Sequence, residues 1–360
     1  MIPVHHRRLE QDDDVRPVAR SVQELIGAGA DRQPLTADDG KSGARLERVI
    51  VDGQSHVLKL LDSEADWVMR ATGDLAGRTI TLWRTGWFDR LPRCLDHTVI
   101  GAARNERPAS LGGAILMDDV GEALLPEGDQ QIPWDQHLRF LDHMAQLHAA
   151  FWGARDTIGL LPLSERFTWF GPPLAEQERA RGTTEVVPTE LVPQGWARLA
   201  ERSPVVSGVL AALHKDPSPL VSVLAGTPQT LVHGDWKAGN LGSSAEGRTV
   251  LLDWAIPGIA PACAEIAHYL CLNTARLPQP KEEALESYRG ALERHGVDTE
   301  AWWARQSELC LLGQLLLFGW EKALGEGDRA AEELAWWEGR ALAATRHLEV
   351  SPARPAVAQS

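Results

Sequence analysis

Cysteine, tyrosine and lysine are the residues this chain uses sparingly. Four cysteines and two tyrosines occur among its 360 residues. Cys94, Cys263, Cys271 and Cys310 form no C-x-x-C pair and have no zinc-ligand spacing, which excludes a zinc ribbon or a thioredoxin-like redox motif. They are expected to be reduced, mostly buried thiols of a cytoplasmic protein. Positive charge is short as well. Lys and Arg total 36 against 50 Asp and Glu, a formal net charge of −14. So acidic a chain speaks against a nucleic-acid partner, since a phosphate backbone wants a basic face. No apolar run is long enough for a membrane span. The longest, Leu309 to Trp320, is interrupted by Gly and Gln and reads as a core helix. The opening residues Met-Ile-Pro-Val-His-His-Arg-Arg lead into no apolar segment, so no secretory signal is expected.

What is present is the composition of an ordinary globular protein, 44% hydrophobic and 24% charged. A chain of this length buries a sizeable core and most naturally folds as two lobes. The β signals gather in the first part. Arg45 to Val51 and Ser55 to Leu61 flank Asp52-Gly53-Gln54 and read as a hairpin. Residues 64–72 and 74–88 have helical character, and 97–103 and 111–117 read as two further strands. Met117-Asp118-Asp119-Val120-Gly121 then forms a polar, turn-like hinge. From Pro133 the period becomes helical, with Leu138, Leu141, Ala145, His148, Ala149 and Trp152 on one face. Pro- and Gly-rich connections are expected next, then strands at 229–233 and 249–253. Helices are expected over roughly 261–274, 280–294, 299–324 and 328–347.

The chemistry concentrates in two segments. Residues 231–240 read Leu-Val-His-Gly-Asp-Trp-Lys-Ala-Gly-Asn, and residues 250–254 read Val-Leu-Leu-Asp-Trp. The first places the Asp235 carboxylate and the Asn240 carboxamide with four residues between them, and the second ends an apolar run on Asp253. Phosphoryl transfer needs an in-line hydroxyl, a group to orient it, and metal ions bridging the nucleotide phosphates. Asp235 suits the orienting base, while Asn240 and Asp253 supply oxygen ligands of the kind Mg²⁺ prefers. The bland alternative, a His-Gly-Asp turn followed by a strand cap, explains Gly234 but not the paired oxygen ligands. Lysine scarcity draws attention to Lys59 in His-Val-Leu-Lys-Leu-Leu. Val57 and Leu61 share its strand face, so its stem lies along apolar surface and its ammonium reaches into a cleft.

These two segments, together with Lys59 and the stretch Met-Ala-Gln-Leu-His-Ala-Ala-Phe-Trp around His148, resemble the aminoglycoside phosphotransferase and choline kinase family of small-molecule kinases. The resemblance spans about residues 40–275. It implies an α+β, bilobal, protein-kinase-like fold: a β-rich N-terminal lobe over 1–117, a mainly helical lobe over 118–352, and a disordered tail at 353–360. It also implies ATP as donor, with GTP possible, Mg²⁺, and a small hydroxylated acceptor such as an aminoglycoside, amino alcohol or amino sugar. No nucleic acid or membrane partner is expected, and a monomer or homodimer is. Asp235 would be the base, Asn240 and Asp253 the metal ligands, and Lys59 the phosphate clamp. Lys237 would reach the transferred phosphoryl group, and Met117, Asp118 and Val120 at the hinge would contact the nucleotide.

Two departures from the family pattern stand out. The helical stretch Arg78 to Trp83 has no acid to anchor Lys59, leaving Glu64 or Asp66 as substitutes. Glu265, in Ala-Glu-Ile-Ala-His-Tyr, stands where the family has an Asp that braces the catalytic loop. A nucleotide-binding pseudokinase or regulatory module without turnover is the alternative reading. The absence of D-F-G, A-P-E and G-x-G-x-x-G argues against a protein kinase. Gly40-Lys41-Ser42 is no P-loop, because Leu35 stands where the first Gly belongs; Gly40 to Arg45 reads as a turn over the nucleotide. His148 reads as a packed histidine, and His233 as a brace of the catalytic loop. Fourteen tryptophans include the pairs Trp302-Trp303 and Trp336-Trp337. They are expected to fill the helical core, the alternative being an amine pocket shared with Glu308, Glu321, Glu332 and Glu333.

Overall fold

Asp52 (φ 52°) and Gly53 (φ 78°) both take left-handed backbone, as a two-residue hairpin turn requires, and so join β2 (Arg45–Val51) to β3 (Gln54–Asp62). The computed structural model of the chain describes residues 16–35, 42–104 and 112–348. The N-terminal stretch, Gly40-Lys41 and the tail at 353–360 lie outside the described residues. β3 pairs with β6 (Gly112–Asp118), and β6 with β5 (Val99–Arg104). A short strand not foreseen from sequence, β1 (Arg32–Leu35), adds to β2 and gives an antiparallel sheet of order β1-β2-β3-β6-β5. Pro34 in β1 suits an edge position.

Strand alternation divides this sheet into two faces. On the outer one, Val49, Leu58, Ala114 and Leu116 pack under Ile26 of α1 (Val22–Ile26). On the inner one, Val57, Leu61, Ile115 and Met117 join the main core. Lys59 has the parity of Val57 and Leu61 and therefore faces inward, as expected. Two short helices, α2 (Trp67–Ala71) and α3 (Arg78–Arg84), connect β3 to the next strands. β4 (Leu95–Asp96) leaves this sheet and pairs in parallel with β9 (Thr249–Leu251), which is antiparallel to β8 (Leu241–Ser243). β7 (Gln229–Val232) pairs with β10 (Gly258–Pro261). Segments on either side of the hinge are thereby stitched together next to the motif loops.

Past the hinge the chain is mainly helical. α4 (Trp134–Ala150) comes first, followed by α5 (Leu163–Arg166), α6 (Pro173–Ala180), α7 (Val192–Arg202), α8 (Pro204–Lys215) and α9 (Ser218–Ala225). After β10 come α10 (Ala262–Leu272), α11 (Lys281–Arg294), α12 (Trp303–Leu324) and α13 (Asp328–Ala344). The last four match the expectation closely. α5 to α9 correct it, because they occupy the region read as Pro- and Gly-rich connections. Pro173, Pro204 and Pro219 sit in the first turn of a helix, where the missing N–H costs nothing and the fixed φ helps. They start helices rather than break them.

α12 is buried from Leu309 to Phe318 on every side, the mark of a central helix. Among the described residues no helix is long and apolar enough to cross a membrane. α7 crosses α12 at Gly195, where an added Cβ would stand 2.2 Å from the Trp320 carbonyl oxygen. Gly195→Ala is expected to destabilise the fold by about 1–3 kcal/mol through overpacking, read as a lower urea midpoint. An unchanged midpoint would show that the two helices part without cost.

Candidate active site

The loop after β7 is shaped by one glycine and one glutamate. Gly234 has φ 92°, and a Cβ there would lie 2.2 Å from the Ile256 carbonyl oxygen, so no other residue fits. Glu265 on α10 accepts hydrogen bonds from the backbone N–H of both His233 and Gly234, the latter at 2.9 Å. The extra methylene of Glu relative to the family's Asp thus leaves the brace intact. His148 is fully buried, hydrogen-bonds Tyr288 through Nδ1, and has Nε2 3.8 Å from Glu265. Burial works to raise the Glu265 pKa, but His148 and His233 outweigh it and hold the carboxylate below its ordinary range. His233 Nδ1 accepts from the Asp235 N–H at 3.2 Å, the bracing role expected of it.

Asp235 emerges from this loop with both oxygens occupied. Its Oδ2 accepts from Asn240 Nδ2 at 2.7 Å and lies 3.3 Å from Lys237 Nζ. Its Oδ1 lies 3.0 Å from His268 Nε2. The Gln314 amide nitrogen faces His268 Nδ1 at 3.4 Å, which makes Nδ1 the acceptor and leaves the Nε2–H to donate to Asp235. Burial pushes the Asp235 carboxyl upward, yet Lys237, His268 and His233 more than offset it and keep the group far below the usual carboxylate range. Asn240 is further pinned through its donation to the Asp235 carbonyl at 2.9 Å, and Ala238 N–H donates to Asn273 Oδ1 at 2.7 Å.

The second segment meets the first directly. The Leu252 N–H donates to the Asn240 carbonyl at 2.9 Å, setting Asp253 beside Asn240. Asp253 has φ 60°, a conformation costly for a non-glycine residue and concentrated at functional sites. The following residue fixes it: Trp254 is buried, donates to the Leu251 carbonyl at 3.0 Å, and has its own carbonyl held by Thr79 Oγ1 at 2.7 Å. From the sheet, Lys59 Nζ reaches Asp253 Oδ1 at 2.7 Å. Burial would depress the Lys59 pKa, but Asp253 raises it, with Asp66 and Asp235 adding to the effect.

The ion-pair partner of Lys59 is Asp253, and neither Glu64 nor Asp66 forms an ion pair with it. Glu64 is exposed, whereas Asp66 is buried and caps α2, accepting from Val68 and Met69 N–H at 2.8 and 3.1 Å. Its field acts on Lys59 alongside that of Asp253. The structure therefore brings Lys59, Asp235, Lys237, Asn240 and Asp253 to one place. Met117 and Asp118 end β6, and Val120 precedes a short 3-10 turn at Gly121–Ala123. Leu125 N–H then donates to the Leu241 carbonyl at 2.8 Å, tying this hinge to the strand that follows Asn240. Among the described residues no three His, Cys, Asp or Glu side chains gather as a ready-made metal site. Asn240 and Asp253 nevertheless form a hard-oxygen donor pair, which fits Mg²⁺ because that ion keeps waters and shares nucleotide phosphates.

Sequence reading missed His268, Asn273, Thr79 and Arg166. His268 had a signal: it stands three residues after Glu265 on one helix, hence on the same face. The amine pocket does not form. Trp302, Trp303 and Trp337 are buried in packing. Glu308 pairs with Arg346 and His347, Glu321 with Lys322, and Glu333 with Lys281.

Residues 123–303 match the model of a phosphotransferase enzyme family, APH. That match includes Asp235, Asn240, Asp253, Glu265 and His268 but not Lys59. No curated protein matches the chain. Among solved structures, the choline kinase LicA from Streptococcus pneumoniae is 13% identical, covering 91% of this chain and 95% of LicA, with a TM-score of 0.49. Its complex with AMP gives 0.50 at the same identity and coverage. A microcompartment-associated aminopropanol kinase is 15% identical over 90% of this chain and 94% of its own, with a TM-score of 0.49. An aminoglycoside phosphotransferase from Alicyclobacillus acidocaldarius is 14% identical over 90% and 93%, with a TM-score of 0.45. At such identities the likeness is one of fold, the protein-kinase-like one.

Burial of Asp66 has a measurable consequence. Desolvation moves its pKa from 3.8 to about 6 against the pull of Lys59. Between those values the folded protein holds a proton that the unfolded chain has released, so stability declines as pH rises through that window. Asn at this position keeps the cap and carries no such cost. Asp66→Asn should therefore gain on the wild type by about 2 kcal/mol between pH 4.5 and pH 7 in urea unfolding. A difference independent of pH would contradict the buried, proton-holding carboxyl.

Proposed function

This chain belongs to the phosphotransferase enzyme family of small-molecule kinases, and we propose that it moves the γ-phosphoryl group of ATP, or of GTP, to a hydroxyl of a small molecule. The observation carrying this reading is the convergence of Asp235, Asn240, Asp253 and Lys59 across the hinge, with Lys59 and Asp253 2.7 Å apart. In this reading residues up to Met117 form the nucleotide-clamping lobe and those from Asp118 to Pro352 the catalytic one. Met117, Asp118 and Val120 border the base of the nucleotide.

Asp235 orients the acceptor hydroxyl and takes its proton as the bond to phosphorus forms. A carboxylate of such low basicity suits a loose transition state, in which the hydroxyl proton is lost late. Asn240 and His268 hold the two oxygens of Asp235 so that neither rotates away from the acceptor. Lys237, beside Asp235, offsets charge on the transferred group. Lys59 grips the phosphates from the sheet side. Mg²⁺, held by Asn240 and Asp253, would neutralise phosphate charge. The solved structures named above are of a choline kinase, an aminopropanol kinase and an aminoglycoside phosphotransferase. Amino alcohols, aminoglycosides and amino sugars are accordingly candidate acceptors, alongside hydroxylated molecules without an amine.

A module that binds nucleotide without turnover would have no need of the three-point hold on Asp235. Asp235→Asn is expected to lower turnover at least about 100-fold while Mg-ATP binding, followed by thermal shift, changes little. Full activity in that variant would refute the role of Asp235. Stabilisation of the wild type by Mg-ATP with no acceptor-dependent ADP release would point to the silent module instead.

A further inference from the structure

The helix α2 (Trp67–Ala71) has five residues, too few to hold itself in water. It follows the strand of Lys59 and is capped by Asp66, the buried carboxylate whose field acts on Lys59. The segment read as a turn over the nucleotide rests on it as well. Trp67 N–H donates to the Ser42 carbonyl at 3.0 Å, and a Cβ on Gly43 would stand 2.6 Å from the Ala65 carbonyl oxygen. The position of α2 is therefore a condition of the phosphate clamp, and the side chains that fix it lie beyond the hinge.

Two kinds of contact do so. Trp67 packs its ring against Trp169 and Phe170, at centroid distances of 6.2 and 5.5 Å. Arg70, three residues on, supplies the polar contact. Its Nε donates to Glu178 Oε1 on α6 at 2.9 Å and its Nη2 to Glu178 Oε2, joining residues 108 apart in sequence. Its Nη1 donates to the carbonyls of Ser63 and Glu64 at 2.8 and 2.7 Å, which closes the loop between β3 and α2. The two side chains of the pair are 9% and 2% exposed. Hydrogen bonding to Glu178 raises the Arg70 pKa, so the guanidinium stays charged.

A buried ion pair adds little net stability over an apolar pair of similar size, because both charges must leave water. Cohesion here is already served by the rings of Trp67, Trp169 and Phe170. What the pair adds is direction, since a guanidinium fork meets a carboxylate in one plane and one register. We infer that Glu178 is a positioning residue for nucleotide binding. By gripping Arg70 across the hinge it sets α2, and with α2 the approach of Asp66 and of the Ser42-Gly43 turn to the phosphates beside Lys59. The inference rests on the nucleotide site proposed above. It also couples that site to the helices beyond the hinge, and such a coupling acts in both directions.

The test needs no acceptor. In the wild type, Mg-ATP should slow amide hydrogen exchange in α6 at least about threefold and leave the remote helix α13 unchanged. Glu178→Gln should raise the Kd for Mg-ATP, read by calorimetry, about tenfold while circular dichroism shows the fold retained. Arg70→Met combined with Glu178→Leu should bring the urea midpoint back to that of the wild type and leave the affinity about tenfold weaker, because an apolar pair packs without fixing direction. Gly195→Ala, destabilised elsewhere, should bind Mg-ATP as the wild type does. Wild-type affinity in Glu178→Gln would overturn the inference and leave the phosphotransferase reading intact. So would recovery of affinity together with stability in the apolar pair, or exchange in α6 that slows no more than that of α13. Should neither variant fold, the exchange measurement decides. Mg-ATP that fails to bind the wild type would overturn the nucleotide site beneath the inference.

Discussion

One ion pair across the hinge organises the molecule's chemistry. Lys59 and Asp253 are 194 residues apart in sequence and 2.7 Å apart in space. Lys59 comes from the centre of an antiparallel sheet, Asp253 from a left-handed kink beyond a short strand of the helical part. Each arrives there for packing reasons. Strand parity points Lys59 inward with Val57 and Leu61, and the burial of Trp254 with the Thr79 hydrogen bond sets the direction of Asp253. Bringing this cation and this carboxylate together requires both halves of the chain at once.

The catalytic loop is stiffened in the opposite way, by many small commitments rather than one. Two backbone N–H groups point at Glu265, a third at His233, and a fourth at Asn273. Asp235 itself is held from three sides. Such a loop loses little freedom when substrates bind, which is what precise orientation of a hydroxyl requires. The same packing brings Arg166 under Gly234.

The convergence of the motif residues was legible in the sequence because most of them lie within single loops. Asp235, Lys237 and Asn240 lie on one loop, and Asp253 on the next strand end, so local pattern sufficed. Lys59 was legible through period-two alternation. The helices between β6 and β7 past α4 were hidden because prolines, ordinarily read as breakers, occupy the first turns of three of them. The direct pairing of Lys59 with Asp253, rather than with Glu64 or Asp66, was not legible, since it joins segments 194 residues apart. Arg166 left no local trace at all. Its hydrogen bond to Ile256 spans 90 residues.

The most direct test of this account is a double-mutant cycle on Mg-ATP affinity, using Lys59→Met, Asp253→Asn and the combination. If both side chains serve one nucleotide–metal unit, the double variant should bind scarcely more weakly than the worse single variant. Strictly additive losses, or single variants that bind like the wild type, would contradict it.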